Sequence, residues 1–197
     1  MNMVNQVEIM KQLKDLTLIL YDFYKKIWEI WKEASEVDYK AVYSEFNEKF
    51  VSNTLSIIEG LPHEISERVY YDVLTGLMEI RFALELVFLA QFYGKKTEVP
   101  EAIKINLDEA LEMPLKAFSA LLELFDVYGS KEKTKEKVAE ISRLEGLMDQ
   151  SQLTLMRQID SLREKENNFS LLVIYNVLHN IEVVLDKLEE ISNILLR

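Results

Sequence analysis

Along nearly the whole chain apolar residues return every third or fourth position, and no stretch alternates apolar with polar as a half-buried strand does. That period confines the chain to helices packed on helices. Interruptions are few, because the 197 residues include just 5 Gly and 3 Pro, and most residues between them favour helix. Six helices follow. The first covers 4–34, with Leu13, Leu16, Leu20, Phe23, Ile27 and Ile30 on one stripe. The second covers 38–59 and stops at Gly60-Leu61-Pro62; the third covers 64–93 and stops at Gly94. Residues 95–99 read as the linker. Pro100 suits the opening of the fourth helix, which runs to 128 ahead of Gly129. Pro114 inside it predicts a kink or a break. The fifth covers 131–164 and the sixth 168–196, with Asn167 or Asn168 as N-cap.

The helices repeat in order. YDVLTGLMEIRFALEL at 71–86 aligns without gaps on YNVLHNIEVVLDKLEE at 175–190. Phe46, Phe50, Leu55 and Ile57 fall on Leu144, Met148, Leu153 and Leu155; Tyr24, Ile27, Ile30 and Trp31 fall on Phe118, Leu121, Leu124 and Phe125. A duplicated three-helix unit explains this order, with 1–95 as the first copy and 98–197 as the second. Three helices bury little alone, so the expected fold is all-α, with both units packed into one domain. The third helix is apolar almost all round from Phe82 to Tyr93. That predicts a core helix enclosed by neighbours, with an oligomer interface as the alternative. Trp28 and Trp31 are expected as core or interface anchors.

Charge excludes several functions. The net charge is -11, and neither half has the cationic surplus that a phosphate backbone demands. The run KEKTKEK at 131–137 is interleaved with Glu and reads as a solvated helix start, so no nucleic-acid partner is expected. Without Cys there is no disulfide, thiolate metal site or thiol nucleophile. No run has the length and apolarity expected of a membrane span, and the N-terminus lacks a signal-peptide layout. A cytoplasmic location and no membrane insertion are expected. No glycine-rich phosphate loop or Ser/His/Asp arrangement with local context appears.

What remains is a pattern of acids. Glu-x-x-x-Asp occurs twice, as Glu145/Asp149 and Glu182/Asp186, and this spacing puts both members of a pair on one helix face. All four follow a core-stripe residue by one step. The stripes are Ile141, Leu144, Met148, Leu155, Ile159 and Leu162 in the fifth helix, and Leu171, Ile174, Leu178, Ile181, Leu185, Leu188 and Leu195 in the sixth. The acids therefore flank the seam of an antiparallel hairpin on one side. Position numbers of level residues across such a hairpin have a constant total. The pairs Glu145/Asp186 and Asp149/Glu182 share one total, which centres the turn between Lys165 and Glu166, inside the polar EKENN segment. A half-buried square of four carboxylates is expected. Like charges there repel, and burial disfavours them further. Raised pKa values with shared protons would relieve this, and so would a bound cation. An all-oxygen donor set suits Mg, Mn or Fe, with Zn and Ca also compatible. A metal is the expectation; the alternative is that Lys or Arg neighbours neutralise the acids. The same geometry in the first half selects Asn47, Val51, Met78 and Phe82, which predicts apolar filling and no metal. His63 falls at a turn. His179, three residues before Glu182, is either an outer ligand or a partly exposed helix histidine. The Glu-x-x-His signature of di-iron bundles is absent.

Tandem three-helix units with acidic E(D)-x-x-x-D helices resemble the PhoU-like phosphate transport regulators, and in particular the branch catalogued as domain of unknown function 47. ISRLEGLMDQSQLTLMRQI at 141–159 resembles that branch's acidic helix with its Leu-rich continuation. IEVVLDKLEEISNIL at 181–195 resembles its closing helix. The likeness covers 100–197 directly and 1–95 through the repeat. It implies an all-helical protein that binds metal through Glu145, Asp149, Glu182 and Asp186. It also implies control of phosphate uptake through a membrane transporter or its signalling partner, without catalysis. The departures at Asn47, Val51, Met78 and Phe82 bear on any second cluster. Two other classes stay open: a structural or oligomerising bundle without metal, and a metal-dependent hydrolase or oxidase, which needs an open coordination position and a substrate pocket.

Overall fold

The computed structural model describes residues 3–33, 37–61, 68–94, 99–162 and 168–197. Every regular element among them is a helix. These are α1 (Met3–Glu33), α2 (Tyr39–Gly60), α3 (Arg68–Tyr93), α4 (Glu101–Val127), α5 (Lys131–Leu162) and α6 (Asn168–Leu196). Each corresponds to one expected from periodicity. The N-cap at Asn167 or Asn168, His63, and most of the expected linker lie outside the described side chains.

Local chemistry fixes the helix ends. The Asp38 carboxylate accepts from the backbone N–H of Lys40 and Ala41, at 3.1 Å each, and so opens α2. Leu61 closes it by donating its N–H to the carbonyl of Ile57. Past the end of α4, Gly129 takes φ 95°, a conformation open to Gly at little cost. Pro114 does not break α4, which runs through it with the ring buried. The missing N–H leaves the Ala110 carbonyl without its helical donor. In the same turn the buried Tyr24 hydroxyl donates to the Leu111 carbonyl at 2.6 Å, tying α1 to the disturbed stretch.

One cluster of buried apolar residues runs from Ile9 to Leu195 and draws on all six helices. The α1 stripe from Leu13 to Ile30 is buried throughout, as are the stripe residues of α6. α3 and α6 share the most extensive contact, and α6 also packs on α5 and α4. Gly76 lets α3 and α6 come close; a Cβ there would stand 2.8 Å from Ile191 Cγ1. By length and composition α6 could cross a membrane, contrary to the sequence expectation. Its Ile174, Leu178, Ile181, Leu185 and Leu188 are fully buried inside the bundle, which accounts for that apolarity.

The two hairpins differ. α5 and α6 pack backbone against backbone, whereas α2 comes within close backbone range of α1 but stands away from α3. Large side chains span the gap, Tyr39 and Tyr43 of α2 lying against Phe88 of α3, while Phe46 stacks on Phe23 of α1 with centroids 3.7 Å apart. α3 is not the enclosed helix expected from its composition. Its inner face is buried, while Tyr71, Thr75, Met78, Phe82, Leu86, Leu89 and Tyr93 form a continuous exposed stripe along the outer one. Val51, Leu55 and Ile58 of α2 are exposed as well.

Candidate carboxylate site

α5 and α6 present the four predicted acids on their shared outer edge. Glu145 and Glu182 are half-buried, whereas Asp149 and Asp186 are exposed. Residues one step before them, Leu144, Met148, Ile181 and Leu185, are buried in the seam and fix the helix rotation. One of the two cross-hairpin pairs, Glu145 with Asp186, appears in the electrostatics. Glu145 is held above the usual carboxylate range, first by burial and then by repulsion from Asp149, Glu189 and Asp186. Asp186, exposed as a residue, is also raised, first by partial desolvation of its carboxyl against the hairpin and then by Glu182, Asp149 and Glu189, with Lys187 opposing. Asp149, one turn along the same helix, is the first of the carboxylates that act on Glu145.

Glu182 is drawn aside. Its Oε2 accepts from Gln152 Nε2 at 2.5 Å and lies 3.5 Å from His179 Nδ1. His179 is thus a largely exposed neighbour of one acid. Nor does Lys187 neutralise the group, because it spans Glu79 of α3 and Glu190, at 2.7 Å each. Glu189 was missed. It follows the buried Leu188 by one step, so the flank rule selects it, but its level partner on α5 is Ser142 and no Glu-x-x-x-Asp motif marks it.

The donor set fits a hard divalent cation in chemistry: oxygen ligands, surplus negative charge and two carboxyls that hold protons too readily. The side-chain positions do not enclose one. Among the described residues no three His, Asp or Glu side chains converge closely enough to hold a metal ion. Closing a site would require Glu182 to leave Gln152.

The first-half counterpart corrects the sequence expectation. Val51, Met78 and Phe82 do not fill the space between α2 and α3; they face outward, with Phe82 63% exposed. A polar chain occupies the groove. Arg81 Nη2 donates to Asn47 Oδ1 at 2.9 Å and pairs with Glu85 at 2.5 Å, and Tyr43 donates to the same carboxylate at 2.7 Å. Arg81 also lies over the Phe50 ring. Where the second half crowds acids, the first supplies its own cation. Its sequence signal was Arg81 itself, the sole basic residue in 71–86.

Fold and groove together define the class: a six-helix all-α bundle with an acidic α5–α6 edge and an arginine-filled counterpart. No family model matches the sequence, and no curated protein matches it. Solved structures do resemble it. A PhoU-like protein from Shewanella oneidensis MR-1 superposes with a TM-score of 0.68 at 16% identity, covering 98% of this chain and 95% of that one. A second protein of that organism, described as a PhoU-like phosphate regulatory protein, gives 0.58 at 14%, with the same coverages. The fold is therefore PhoU-like over nearly the whole chain.

Proposed function

We propose that the protein is a non-enzymatic regulator or adaptor of the PhoU-like kind, linked to phosphate transport and acting through protein contacts. In this reading 1–95 and 98–197 are copies of one three-helix unit, and the second copy binds metal. Glu145, Asp149, Glu182 and Asp186 hold one divalent cation, drawn from Fe, Zn, Mn or Mg, on the cytoplasmic side of the membrane. The partner is a phosphate transporter or its signalling protein. The observation that carries the metal assignment is the gathering of four carboxylates on one edge of the α5–α6 hairpin, where burial and mutual repulsion raise Glu145 and Asp186 and Lys187 is already engaged by Glu79 and Glu190. The full-length likeness to PhoU-like folds, one of them described as phosphate regulatory, supports the regulatory assignment. Bound cation would offset the repulsion among these carboxylates, at the cost of the Gln152–Glu182 bond.

The competing reading is a structural bundle without metal. It draws on the failure of any three donors to converge among the described residues. Metal analysis of protein purified without chelator decides between them. The regulator reading expects a bound metal that is lost in Glu145→Gln/Glu182→Gln; protein at background metal content rejects it. Recovery of a phosphate transporter in a pull-down supports the partner assignment.

A further inference from the structure

The exposed stripe on α3 is built symmetrically. Phe82 stands at its centre. Met78 and Leu86 lie one turn to either side, Thr75 and Leu89 two turns, and Tyr71 and Tyr93 three, with equal spacings in both directions. The stripe advances in two eleven-residue steps, 71 to 82 and 82 to 93. At about 3.6 residues per turn each step drifts around the helix by only about 20°, so the stripe stays on one side. Such a pattern reads the same from either end, which is what an isologous two-fold contact requires.

We propose that α3 pairs antiparallel with α3 of a second copy of this chain, about a two-fold axis at Phe82. Phe82 then meets its own counterpart, Met78 meets Leu86, and Tyr71 meets Tyr93. The area is sufficient. The six apolar residues of the stripe with Val51, Leu55 and Ile58 are 37% to 70% exposed. At roughly 150–200 Å² for a fully exposed large side chain they offer about 800 Å², the area a stable interface removes from each partner.

Charge agrees. The nearest ionic groups are paired inside one chain, Arg81 with Glu85 and Glu79 with Lys187, so docking buries no unpaired charge at the centre. Residues 1–96 carry 11 basic and 15 acidic side chains against 12 and 19 in 97–197, so contact through α3 joins the less acidic halves. A bilayer surface fits less well, because the net charge of -11 opposes anionic lipid.

Sedimentation equilibrium on the full chain tests the pairing across a wide concentration range. The wild type should reach a dimer. Phe82→Glu, which sets two like charges face to face on the axis, should weaken association roughly a hundredfold with an unchanged helical circular dichroism spectrum. Leu153→Glu, at an equally exposed site on α5, should leave it intact. Register is tested separately: Met78→Lys should weaken the dimer, and Met78→Lys/Leu86→Glu should restore it to within about tenfold. A chain that stays monomeric, a dimer indifferent to Phe82→Glu, a double variant no better than the single one, or a monomer that sediments with neutral lipid vesicles would each overturn the proposal.

Discussion

Glu145 is the most exposed to conflict of any single residue described. Burial and three carboxylate neighbours raise its pKa above the ordinary 4.5, and Asp186 is raised above 3.8 for the same reasons. A raised native pKa means that folding favours the protonated form. The benefit is complete below the unfolded values and is lost as pH rises through the native ones. Near neutrality, then, both groups destabilise the chain. In chelator-treated protein Glu145→Gln should increase the unfolding free energy at pH 7 by about 0.5 kcal/mol, the scale of a like-charge helix pair with one member exposed. The gain should disappear below about pH 4, where the wild-type carboxyl is protonated in both states. Urea denaturation at the two pH values measures this. A gain equal at both would mean that charge repulsion is not its source. Gln152 shows why such a site is hard to complete from sequence. The flank rule places Glu182 on the correct edge, but whether its carboxylate points toward Asp149 or accepts from Gln152 depends on a side-chain rotamer. No spacing rule encodes that choice.

Two glycines within helices show how differently two elements are constrained. Gly76 in α3 faces Ile191 of α6, whose Cγ1 would lie 2.8 Å from an added Cβ. Alanine there gains about 1 kcal/mol of helix propensity but overpacks a fully buried contact, at about 1–3 kcal/mol. Gly76→Ala should lose about 1 kcal/mol net. Gly146 in α5 has nothing within 4 Å of an added Cβ. Gly146→Ala should gain about 0.5–1 kcal/mol. Thermal unfolding of both variants should shift in opposite directions; a shift of the same sign would contradict the packing difference. The elements themselves were plain in the sequence. Gly60-Leu61 and Gly129 marked real ends, and of the two level pairs of the acidic hairpin the electrostatics register Glu145 with Asp186. The position of α2 against α3 was not. The level rule assumes two backbones in close contact, but Arg81, Tyr39, Tyr43 and Phe88 are long or broad enough to hold the helices apart. Val51, Met78 and Phe82 therefore end at the surface. Apolar composition alone could not separate a helix buried all round from one buried on a single side.

In the whole molecule α6 carries much of the cohesion. It contributes eleven fully buried or nearly buried apolar side chains, from Leu171 to Leu195, and its most extensive contact is with α3 from the other half of the chain. At about 1.5–3 kcal/mol each, their loss exceeds the total stability of an ordinary domain, about 5–15 kcal/mol. A chain ended at Leu162 should therefore show no cooperative urea transition by circular dichroism, and neither should residues 1–94 alone. A sigmoidal transition in either would show that the halves fold separately. The α3–α6 contact also has a temporal side. During translation α1 is already available to α3, but the side of α3 that Gly76 presents to Ile191 must wait about a hundred residues for α6 to leave the ribosome. At a synthesis rate of about 5–20 residues per second that delay lasts roughly 5–20 seconds. For that interval the nascent chain displays an uncovered apolar helix side, the kind of surface that aggregation and chaperones both recognise.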